Sequence, residues 1–337
     1  MEWNGKVKYM LKRIGNLFVL ALMFFPSIGL FAQVLPPLPP PPQMPYTFQE
    51  FNVAGARYTV PLDLNDFNYG VGYAAFNDGT RDILFNVLTR SYWEIKVPGA
   101  CMTNLNGLNN LFQIVGIYGV GACSPDGKTE THMFFRDSDG TIHNIHIDSK
   151  FGTNGFPEGI NDDGTVGGSI VQGGEQRGFV MRCGKKRGGF ACSDPTIFEG
   201  PGDRPFLTRV GGVNNKEQTS GEVLDHPESN RQHGFVCDKR LNCSLIDFLG
   251  ALGTSVSGMS RTKVAGFWYG NDGITHSMLC AIGGKCSTID PVSLGGRSSS
   301  ATDVNVKGLI IGIYSDTFGT HGYVGIPNSS GHDDHDD

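Results

Sequence analysis

The chain has 337 residues and a formal net charge of −6, and charged residues make up 18% of it. This acidic balance disfavours nucleic acid as a partner, since the densest basic cluster is only Lys185–Arg187. Glycine is abundant, at 48 residues, and no segment shows a sustained helical stripe of apolar residues. The composition therefore favours short strands joined by tight turns over a helical protein.

The N-terminus combines a basic stretch, Lys6–Arg13, with an apolar run, Leu17–Phe25, that is too short to span a bilayer comfortably. This order is typical of a secretory signal. We expect residues 1–32 to be a signal peptide and the mature protein to have no stable membrane span. Met10 is an alternative start to Met1. An uncleaved anchor is the other interpretation, and Pro26 disfavours it by interrupting the run.

Two further segments lie outside the expected folded domain. Residues 33–46 form a Pro-rich linker that favours an extended polyproline II spacer. Residues 328–337 form an acidic tail that we expect to be disordered. His332 and His335 in this tail could gather a divalent cation only weakly. The folded domain is therefore predicted at residues 47–327.

Two motifs recur six times within that domain. The first is a turn, usually with Asn, followed by an apolar strand that contains Gly; the second is a His or Arg, a variable residue and two apolar residues. Successive glycines lie from 44 (Gly72 to Gly116) to 53 (Gly168 to Gly221) residues apart, which indicates an array of one repeated unit. The turn residues are Asn65, Asn109, Asn161, Asn214, Ser260 and Asn305. The second motif begins at Arg81, His132, Arg177, His233, His276 and His321.

Each repeat has the pattern of four short strands, here called a, b, c and d in chain order. In the fourth repeat they are predicted at residues 206–213, 218–224, 233–238 and 243–248. Four strands in about 45 residues, repeated six times, are typical of an all-β fold, a six-bladed β-propeller. The last repeat lacks strand d, and Thr47–Val53 is a strand d without a repeat. We therefore predict that Thr47–Val53 pairs with His321–Ile326 and closes the ring.

A family resemblance covers residues 47–326. The residues that carry it are Ile160–Gly164 with Val166 and Gly168, the His233–Phe235 motif, and Val97–Ala100. In these motifs the chain resembles the HAF-repeat family of predicted extracellular proteins, which is named for a His-Ala-Phe tripeptide. The departures are Arg81, Arg177 and Ser260. The resemblance implies an extracellular repeat fold and no particular activity.

The chain has eight cysteines, an even number that suits disulfides in a protein that leaves the cytoplasm. On the repeat frame they fall into four local pairs, each beside a hairpin. A zinc site is the alternative, which we disfavour because the pairs lie in separate repeats. The predicted disulfides are Cys101–Cys123, Cys183–Cys192, Cys237–Cys243 and Cys280–Cys286.

Loop variation suggests where a partner binds. The a–b turns are short and alike, whereas the b–c and d–a loops vary, especially residues 121–131 and 225–232. Because variable loops on a rigid scaffold carry function, we expect a protein or glycan partner at the b–c and d–a loop face or at the channel mouth that it surrounds. This predicts a monomeric, non-enzymatic binding or scaffold protein, secreted or periplasmic or at the cell surface.

Two other function classes stay open. A secreted hydrolase acting on glycans would need two carboxyl groups about 5–10 Å apart at the channel mouth. A propeller lectin would repeat an aromatic residue between blades, and the non-equivalent positions of Trp93 and Trp268 argue against it. The sequence offers several carboxylates but singles out no pair. These are Asp162, Glu199, Asp203, Asp225 and Glu228.

No residue is assigned a catalytic, cofactor-binding or metal-binding role. The recurring His and Asn residues suit structural hydrogen bonds, with Asn in an Asx-turn or a left-handed conformation. Asp137–Thr141 carries oxygen ligands of the calcium type but lacks the remaining positions of a calcium loop, so a plain hairpin turn is predicted. His143 and His146 are three apart in a predicted strand and would face opposite sides. The sequence contains no nucleophile elbow, phosphate loop or zinc-protease motif.

Overall fold

The computed structural model describes residues 46–122, 128–225 and 231–328. In these ranges the chain is all-β apart from one 3-10 turn, Val292–Leu294. No helix in the described ranges is long and apolar enough to cross a membrane. The expectations for the signal peptide, nearly all of the linker and the acidic tail lie outside these residues.

The strands follow the predicted repeats. Strand a of the successive repeats is β2 (Tyr58–Leu64), β6 (Met102–Leu108), β10 (Thr153–Ile160), β15 (Leu207–Val213), β19 (Gly253–Met259) and β23 (Ser298–Val304). Strand b is β3 (Tyr69–Phe76), β7 (Ile114–Gly121), β11 (Thr165–Gln172), β16 (Thr219–Leu224), β20 (Lys263–Tyr269) and β24 (Ile310–Ser315). Strand c is β4 (Gly79–Asn86), β8 (Thr129–Arg136), β12 (Glu175–Lys186), β17 (Gln232–Cys237), β21 (Thr275–Ala281) and β25 (Thr320–Pro327). Strand d is β5 (Tyr92–Glu94), β9 (Ile142–Ile145), β14 (Thr196–Phe198), β18 (Cys243–Ile246), β22 (Cys286–Thr288) and the N-terminal β1 (Tyr46–Phe51).

The strands form antiparallel sheets in the order a, b, c, d. Repeats 1, 2, 5 and 6 are separate four-stranded sheets, whereas repeats 3 and 4 belong to one nine-stranded sheet. That larger sheet is continuous through a single parallel residue pair, Gln176 with Leu207, and includes an extra strand, β13 (Gly189–Cys192). The predicted strands of the fourth repeat are confirmed, although strand d ends two residues early, at Ile246. Sheets of this kind, packed side by side, give a propeller-like fold.

The N-terminal strand pairs with the last repeat, as the sequence predicts. β1 runs antiparallel to β25 from Tyr46 opposite Pro327 to Phe51 opposite Gly322. The Tyr46 hydroxyl also donates a hydrogen bond to the carbonyl oxygen of Gly308 at 3.0 Å. The outer strand of the last sheet therefore comes from the opposite end of the described chain.

Every strand a carries a bulge at the same place, three residues before the turn residue. The recurring glycine of strand b follows from the geometry beside this bulge. A Cβ on Gly221 would lie 1.9 Å from the carbonyl oxygen of Arg209, and the other five glycines face their bulged strands at 2.0–2.3 Å. Only glycine fits there, because no side-chain carbon can approach a backbone oxygen so closely. The bulged residues are Leu62, Asn106, Glu158, Gly211, Ser257 and Thr302.

The core lies between neighbouring sheets. The third residue of the second motif is fully buried in every repeat, which explains its large apolar character. Ile83 of repeat 1, for example, packs with Ile311 and Val324 of repeat 6 in one apolar cluster. The buried third residues are Ile83, Phe134, Phe179, Phe235, Met278 and Tyr323.

Three of the four predicted disulfides are present, namely Cys183–Cys192, Cys237–Cys243 and Cys280–Cys286. Cys101 is also disulfide-bonded, and its predicted partner Cys123 lies outside the described residues. In repeat 3 the bond joins strand c to the extra strand β13 instead of strand d, because an additional hairpin is inserted there. Each bond closes a short loop and stabilises the protein by about 2–3 kcal/mol in the chain-entropy model.

Candidate functional site

The a–b turns are held by the side chain of the recurring Asn. In repeat 3, Asn161 Oδ1 accepts hydrogen bonds from the backbone N–H groups of Asp163 (3.1 Å) and Thr165 (2.9 Å). This is the predicted Asx-turn. The left-handed alternative is wrong for the Asn itself, because the positive φ lies three residues later, at Gly164 in this repeat and at Phe112 in repeat 2. The chain reverses direction at this later residue, and the Asn side chain accepts the backbone N–H groups of the turn on either side of it.

The same Asn side chains also connect neighbouring repeats. Nδ2 of each Asn donates a hydrogen bond to the backbone carbonyl of the turn residue in the next repeat. These bonds, which we call the first belt, run from Asn65 to Asn109 (3.3 Å), Asn109 to Asn161 (2.9 Å), Asn161 to Asn214 (3.0 Å), Asn214 to Ser260 (3.1 Å) and Asn305 to Asn65 (3.2 Å). The hydroxyl of Ser260 instead bonds within its own turn, to Lys263, so the belt is interrupted between repeats 5 and 6.

A cavity of about 450 Å³ opens where the six a–b turns meet. It is lined by five of the six bulged residues, all except Glu158, and by the first two residues of each turn. Its walls combine amide, carboxyl and glycine backbone groups with apolar side chains such as Leu62 and Val306. This is the end of the molecule opposite to the variable loops that the sequence analysis favoured for a partner. The expectation for that loop face stays a prediction, since residues 123–127 and 226–230 lie outside the described ranges.

Two carboxyl groups in the cavity wall share a hydrogen bond. Asp63 and Asp303 occupy the position two residues before the turn residue, where the other four repeats have glycine. Burial raises the pKa of both groups, and for Asp303 the charge of Asp63 adds to the effect. Their oxygens also accept backbone N–H groups, Asp303 from Leu64 (2.9 Å) and Asp63 from Leu108 (2.7 Å). The pair therefore ties together repeats 6, 1 and 2, and the sequence analysis missed it.

A second group of charges lies between repeats 3, 4 and 5. Nε of Arg209 contacts both carboxylate oxygens of Glu158, at 2.6 and 2.7 Å, and its Nη1 lies 3.2 Å from Glu222. Glu222 also accepts hydrogen bonds from Gln232 and Ser255. Burial raises the pKa of Glu158, although the adjacent guanidinium acts in the opposite direction. All these groups pair with one another, as a buried charge cluster requires.

The recurring His residues are structural, as predicted. Each contacts a carboxylate before or at the start of strand c, and three of them also contact a carboxylate on or just after strand d. His276 lies 3.2 Å from Asp272 and 2.6 Å from Asp290, and the hydrogen bond to Asp290 raises the pKa of His276. His233 lies between Asp225 and Asp247 in the same way. The remaining pairs are His321 with Asp316 and Glu50, and His132 with Glu130.

Arg81 and Arg177, which depart from the family motif, take the same structural role. Arg81 forms ion pairs with Asp78 and Glu94, and Arg177 with Glu175 and Glu199. The first carboxylate, Asp78 or Glu175, lies just before strand c or at its first residue, and the second lies on or just after strand d. The motif therefore places a side-chain nitrogen that holds strand c to its neighbours, and either His or Arg supplies it.

The remaining predicted candidates do not form a site. Asp137–Thr141 is a hairpin turn in which Asp137 contacts His143 (2.9 Å) and Lys185 (3.3 Å), so its side chain already has nitrogen partners. His146 lies beyond strand β9, which ends at Ile145, so His143 and His146 do not share a strand. Within the described residues no cluster of His, Cys, Asp or Glu could hold a metal ion.

The five candidate carboxylates are likewise dispersed. Asp162 lies at the cavity rim and Asp225 contacts His233, whereas Glu199 pairs with Arg177. Asp203 is near Asp225, through its backbone N–H at 3.3 Å from Asp225 Oδ1. Glu228 lies outside the described residues.

An exposed aromatic cluster, which the sequence analysis also missed, lies beside the cavity rim between repeats 1 and 2. Phe67 and Phe112 come from the two a–b turns and stack at 6.4 Å with an interplanar angle of 8°. Tyr69 contacts both Phe112 (5.0 Å) and Trp93 (6.1 Å). Phe67 is 57% exposed and Trp93 is 50% exposed. We call these four residues the aromatic cluster.

No family model and no curated protein matches the chain. Among solved structures it is similar to TolB from Acinetobacter baumannii (10% identity, TM-score 0.44, covering 67% of this chain and 52% of that one). It is similar to a putative TolB from Agrobacterium tumefaciens (12%, 0.46, 73% and 89%) and to a gluconolactonase from Xanthomonas campestris (12%, 0.45, 86% and 99%). The chain thus spans about half the length of the first of these. Likenesses this distant carry no argument about activity or ligand, and the resemblance to the HAF-repeat family stays a prediction.

Proposed function

We propose that the protein is a closed six-bladed β-propeller that acts outside the cytoplasm and binds a glycan at its cavity end without catalysing a reaction. The observation that carries this proposal is a cavity of about 450 Å³ with polar and apolar walls, together with an exposed aromatic cluster that extends outward from the a–b turns of repeats 1 and 2. Concave sites that combine aromatic surface with a few placed polar groups are typical binding sites.

Six blades agree with the sixfold register of bulges, turns and buried motif residues. Only one residue pair, Gln176 with Leu207, makes repeats 3 and 4 continuous, so we count them as two blades. Contacts between the last and first repeats support a closed ring. Nδ2 of Asn305 donates to the carbonyl of Asn65 at 3.2 Å, and the Thr302 hydroxyl donates to the carbonyl of Pro61 at 2.9 Å.

The aromatic cluster suits the apolar C–H face of a sugar ring, because aromatic faces are electron-rich and flat. The turn geometry presents Phe112 at this surface. It has a positive φ of 59°, as do the equivalent residues Asn68, Gly164, Glu217 and Gly308, so this conformation belongs to the a–b turn of these repeats.

The pairing of the buried carboxyl groups argues against catalysis. Asp63 and Asp303 hold backbone N–H groups across blade boundaries, and Glu158 is held by Arg209. Each group therefore already has a structural task. The disulfides, together with the N-terminal sequence, support an oxidising location, either secreted or periplasmic.

A glycan array probed with the full chain tests the proposal. We expect that Trp93→Ala weakens capture about tenfold or more, because it removes the largest exposed aromatic ring of the cluster. Trp268→Phe is the matched control, since Trp268 packs against Phe248 and His276 away from the cavity. Capture by the wild type that Trp93→Ala leaves unchanged would contradict binding at the cavity end.

The variable-loop face is a second candidate surface, for a protein or glycan partner. Exchanging residues 121–131 and 225–232 for short turns tests it separately. Loss of capture in these loop variants, with full capture by Trp93→Ala, would move the function to the loop face.

A glycan hydrolase is the second candidate function, and one observation favours it. The carboxyl pair Asp63–Asp303 occurs in a single sector of the cavity wall, as a unique acid pair should. The two groups are directly hydrogen-bonded, however, and lack the gap of about 5–10 Å that glycosidases use. Sugar release from a captured glycan that stops in Asp63→Asn would establish this function.

A further inference from the structure

A second set of hydrogen bonds connects the residues that directly follow the turn residues. The backbone N–H of each donates to a side-chain oxygen of its counterpart in the next repeat. We call these bonds the second belt. They run from Val306 to Asp66 (3.0 Å), Asp66 to Asn110 (2.8 Å), Asn110 to Asp162 (2.8 Å) and Asp162 to Asn215 (2.9 Å).

Two members of this set have no acceptor. The counterparts that follow Asn215 and Arg261 are Arg261 and Val306, whose side chains carry no oxygen. Within the described residues the backbone N–H groups of Asn215 and Arg261 form no hydrogen bond. Two oxygen positions that side chains fill elsewhere around the rim are therefore left to solvent or to a ligand.

The same sector carries unpaired positive charge. Lys216 and Arg261 both line the cavity and are exposed, and neither forms an ion pair within the described ranges. The rim of repeats 1 to 3 is instead acidic, with Asp66 and Asp162. Backbone N–H groups beside a guanidinium and an ammonium group form a binding site for an oxyanion.

We propose that this sector binds the carboxylate of an acidic sugar, such as a uronic acid. The ligand oxygens accept hydrogen bonds from the backbone N–H groups of Asn215 and Arg261. They lie where the side-chain oxygens of Asp66, Asn110, Asp162 and Asn215 lie in the other repeats. A carboxylate fits because these positions are filled elsewhere by planar carboxylate and carboxamide groups, and because Arg261 can bind it with a two-pronged fork. This inference rests on the proposed glycan binding at the cavity end and names its substrate class.

Galacturonic acid and galactose, titrated into the ¹⁵N-labelled full chain at constant ionic strength, test the inference. We expect the amide signals of Asn215 and Arg261 to shift with galacturonic acid and to stay unchanged with galactose. Arg261→Asp and Val306→Asp supply the missing oxygens, as Asp66 and Asp162 do in their repeats. Each should weaken galacturonic acid binding about tenfold or more, with galactose binding unchanged.

Arg297→Asp is the matched control for charge, because it makes the same charge change at an exposed residue that does not line the cavity. Equal binding of both sugars with no movement of the two amides would overturn the carboxylate site and leave the proposed function standing. Galacturonic acid binding that survives Arg261→Asp and Val306→Asp would also overturn it. If neither sugar binds and the glycan array is also negative, both proposals are overturned.

Discussion

Replacing Asn161 tests whether the first belt stabilises the propeller-like fold. The residue is 2% exposed, and its side chain makes three hydrogen bonds. Two are accepted from the backbone of its own turn. The third is donated across the boundary to the carbonyl of Asn214 at 3.0 Å. Asn161→Ala removes all three and leaves the buried carbonyl of Asn214 and two partly buried backbone N–H groups without these partners.

The expected loss can be divided between the turn and the boundary. A typical hydrogen bond contributes about 1 kcal/mol net, so Asn161→Ala should lower the free energy of unfolding by about 3 kcal/mol. Asn161→Ser keeps a hydroxyl that can hold the turn, as Ser260 does, and should cost only about 1–2 kcal/mol. The reverse change, Ser260→Asn, adds the missing link and should stabilise by about 1 kcal/mol.

Urea denaturation of the four proteins, followed by intrinsic fluorescence and by circular dichroism, measures these differences. Coincident transitions from both signals are the condition for comparing free energies. If Asn161→Ala and Asn161→Ser were as stable as the wild type, the first belt would follow from the geometry of the repeat and would not contribute to the free energy of unfolding. If only Ser260→Asn failed to stabilise, the interruption at repeat 5 would have another cause, such as an altered turn.

Three other changes probe the rest of the structure. Gly221→Ala should prevent stable folding or cost several kcal/mol, because its Cβ would lie 1.9 Å from a backbone oxygen. A Cβ on Gly188 meets no atom, so Gly188→Ala is the control and should leave the melting temperature unchanged in a thermal melt. Replacing Cys237 and Cys243 by Ser should lower the free energy of unfolding by about 2–3 kcal/mol. A reducing agent should then destabilise the variant less than it destabilises the wild type, because one disulfide is already absent. Burial raises the pKa of Asp82 to about 7, so the native state keeps a proton that the unfolded chain loses near pH 4. Stability should therefore fall as the pH rises from about 4 to above 7, with up to about 4 kcal/mol of the fall coming from Asp82. Asp82→Asn should make the fall smaller by that amount, and urea midpoints that change equally with pH in the wild type and in Asp82→Asn would refute the shift.

The repeat pattern was sufficient to predict the strands. Alternation of apolar residues, turn residues and the recurring glycines are local signals, and each recurs six times, so errors in one repeat are corrected by the others. The pairing of β1 with β25 could also be predicted, because the last repeat has no strand d and an unassigned strand precedes the first repeat. Strand d was the least well defined, since in repeat 3 the inserted hairpin displaces it to Thr196–Phe198.

The site was harder to predict, because its contacts are not local. The sequence shows that Asn161 recurs, but its donor bond reaches a residue 53 positions away. The carboxyl pair was missed because Asp63 and Asp303 break the glycine pattern in only two repeats. Aligning the repeats on the turn residue would have revealed them as the two exceptions. The aromatic cluster was missed because Phe67 and Phe112 lie in turns that were regarded as alike.

The two arginines show a different limit of sequence reasoning. Arg81 and Arg177 were departures when judged by residue identity. In the structure each lies between two carboxylates, as His233 and His276 do. What recurs is a positive or hydrogen-bonding group at one place, and a motif written in letters does not express that.

The origin of the last outer strand has a consequence for how the protein matures. Thr47 leaves the ribosome early, but the residue that its hydroxyl contacts, Asn328, lies 281 positions further on. Until that segment exists, β1 is an unsatisfied edge, and so long a separation slows productive encounter. Two chains at high concentration could each lend this strand to the other, giving an exchanged dimer with native-like sheets. Dilution during refolding should therefore favour the monomer, and a nascent chain that stops before β25 should be a target for proteases.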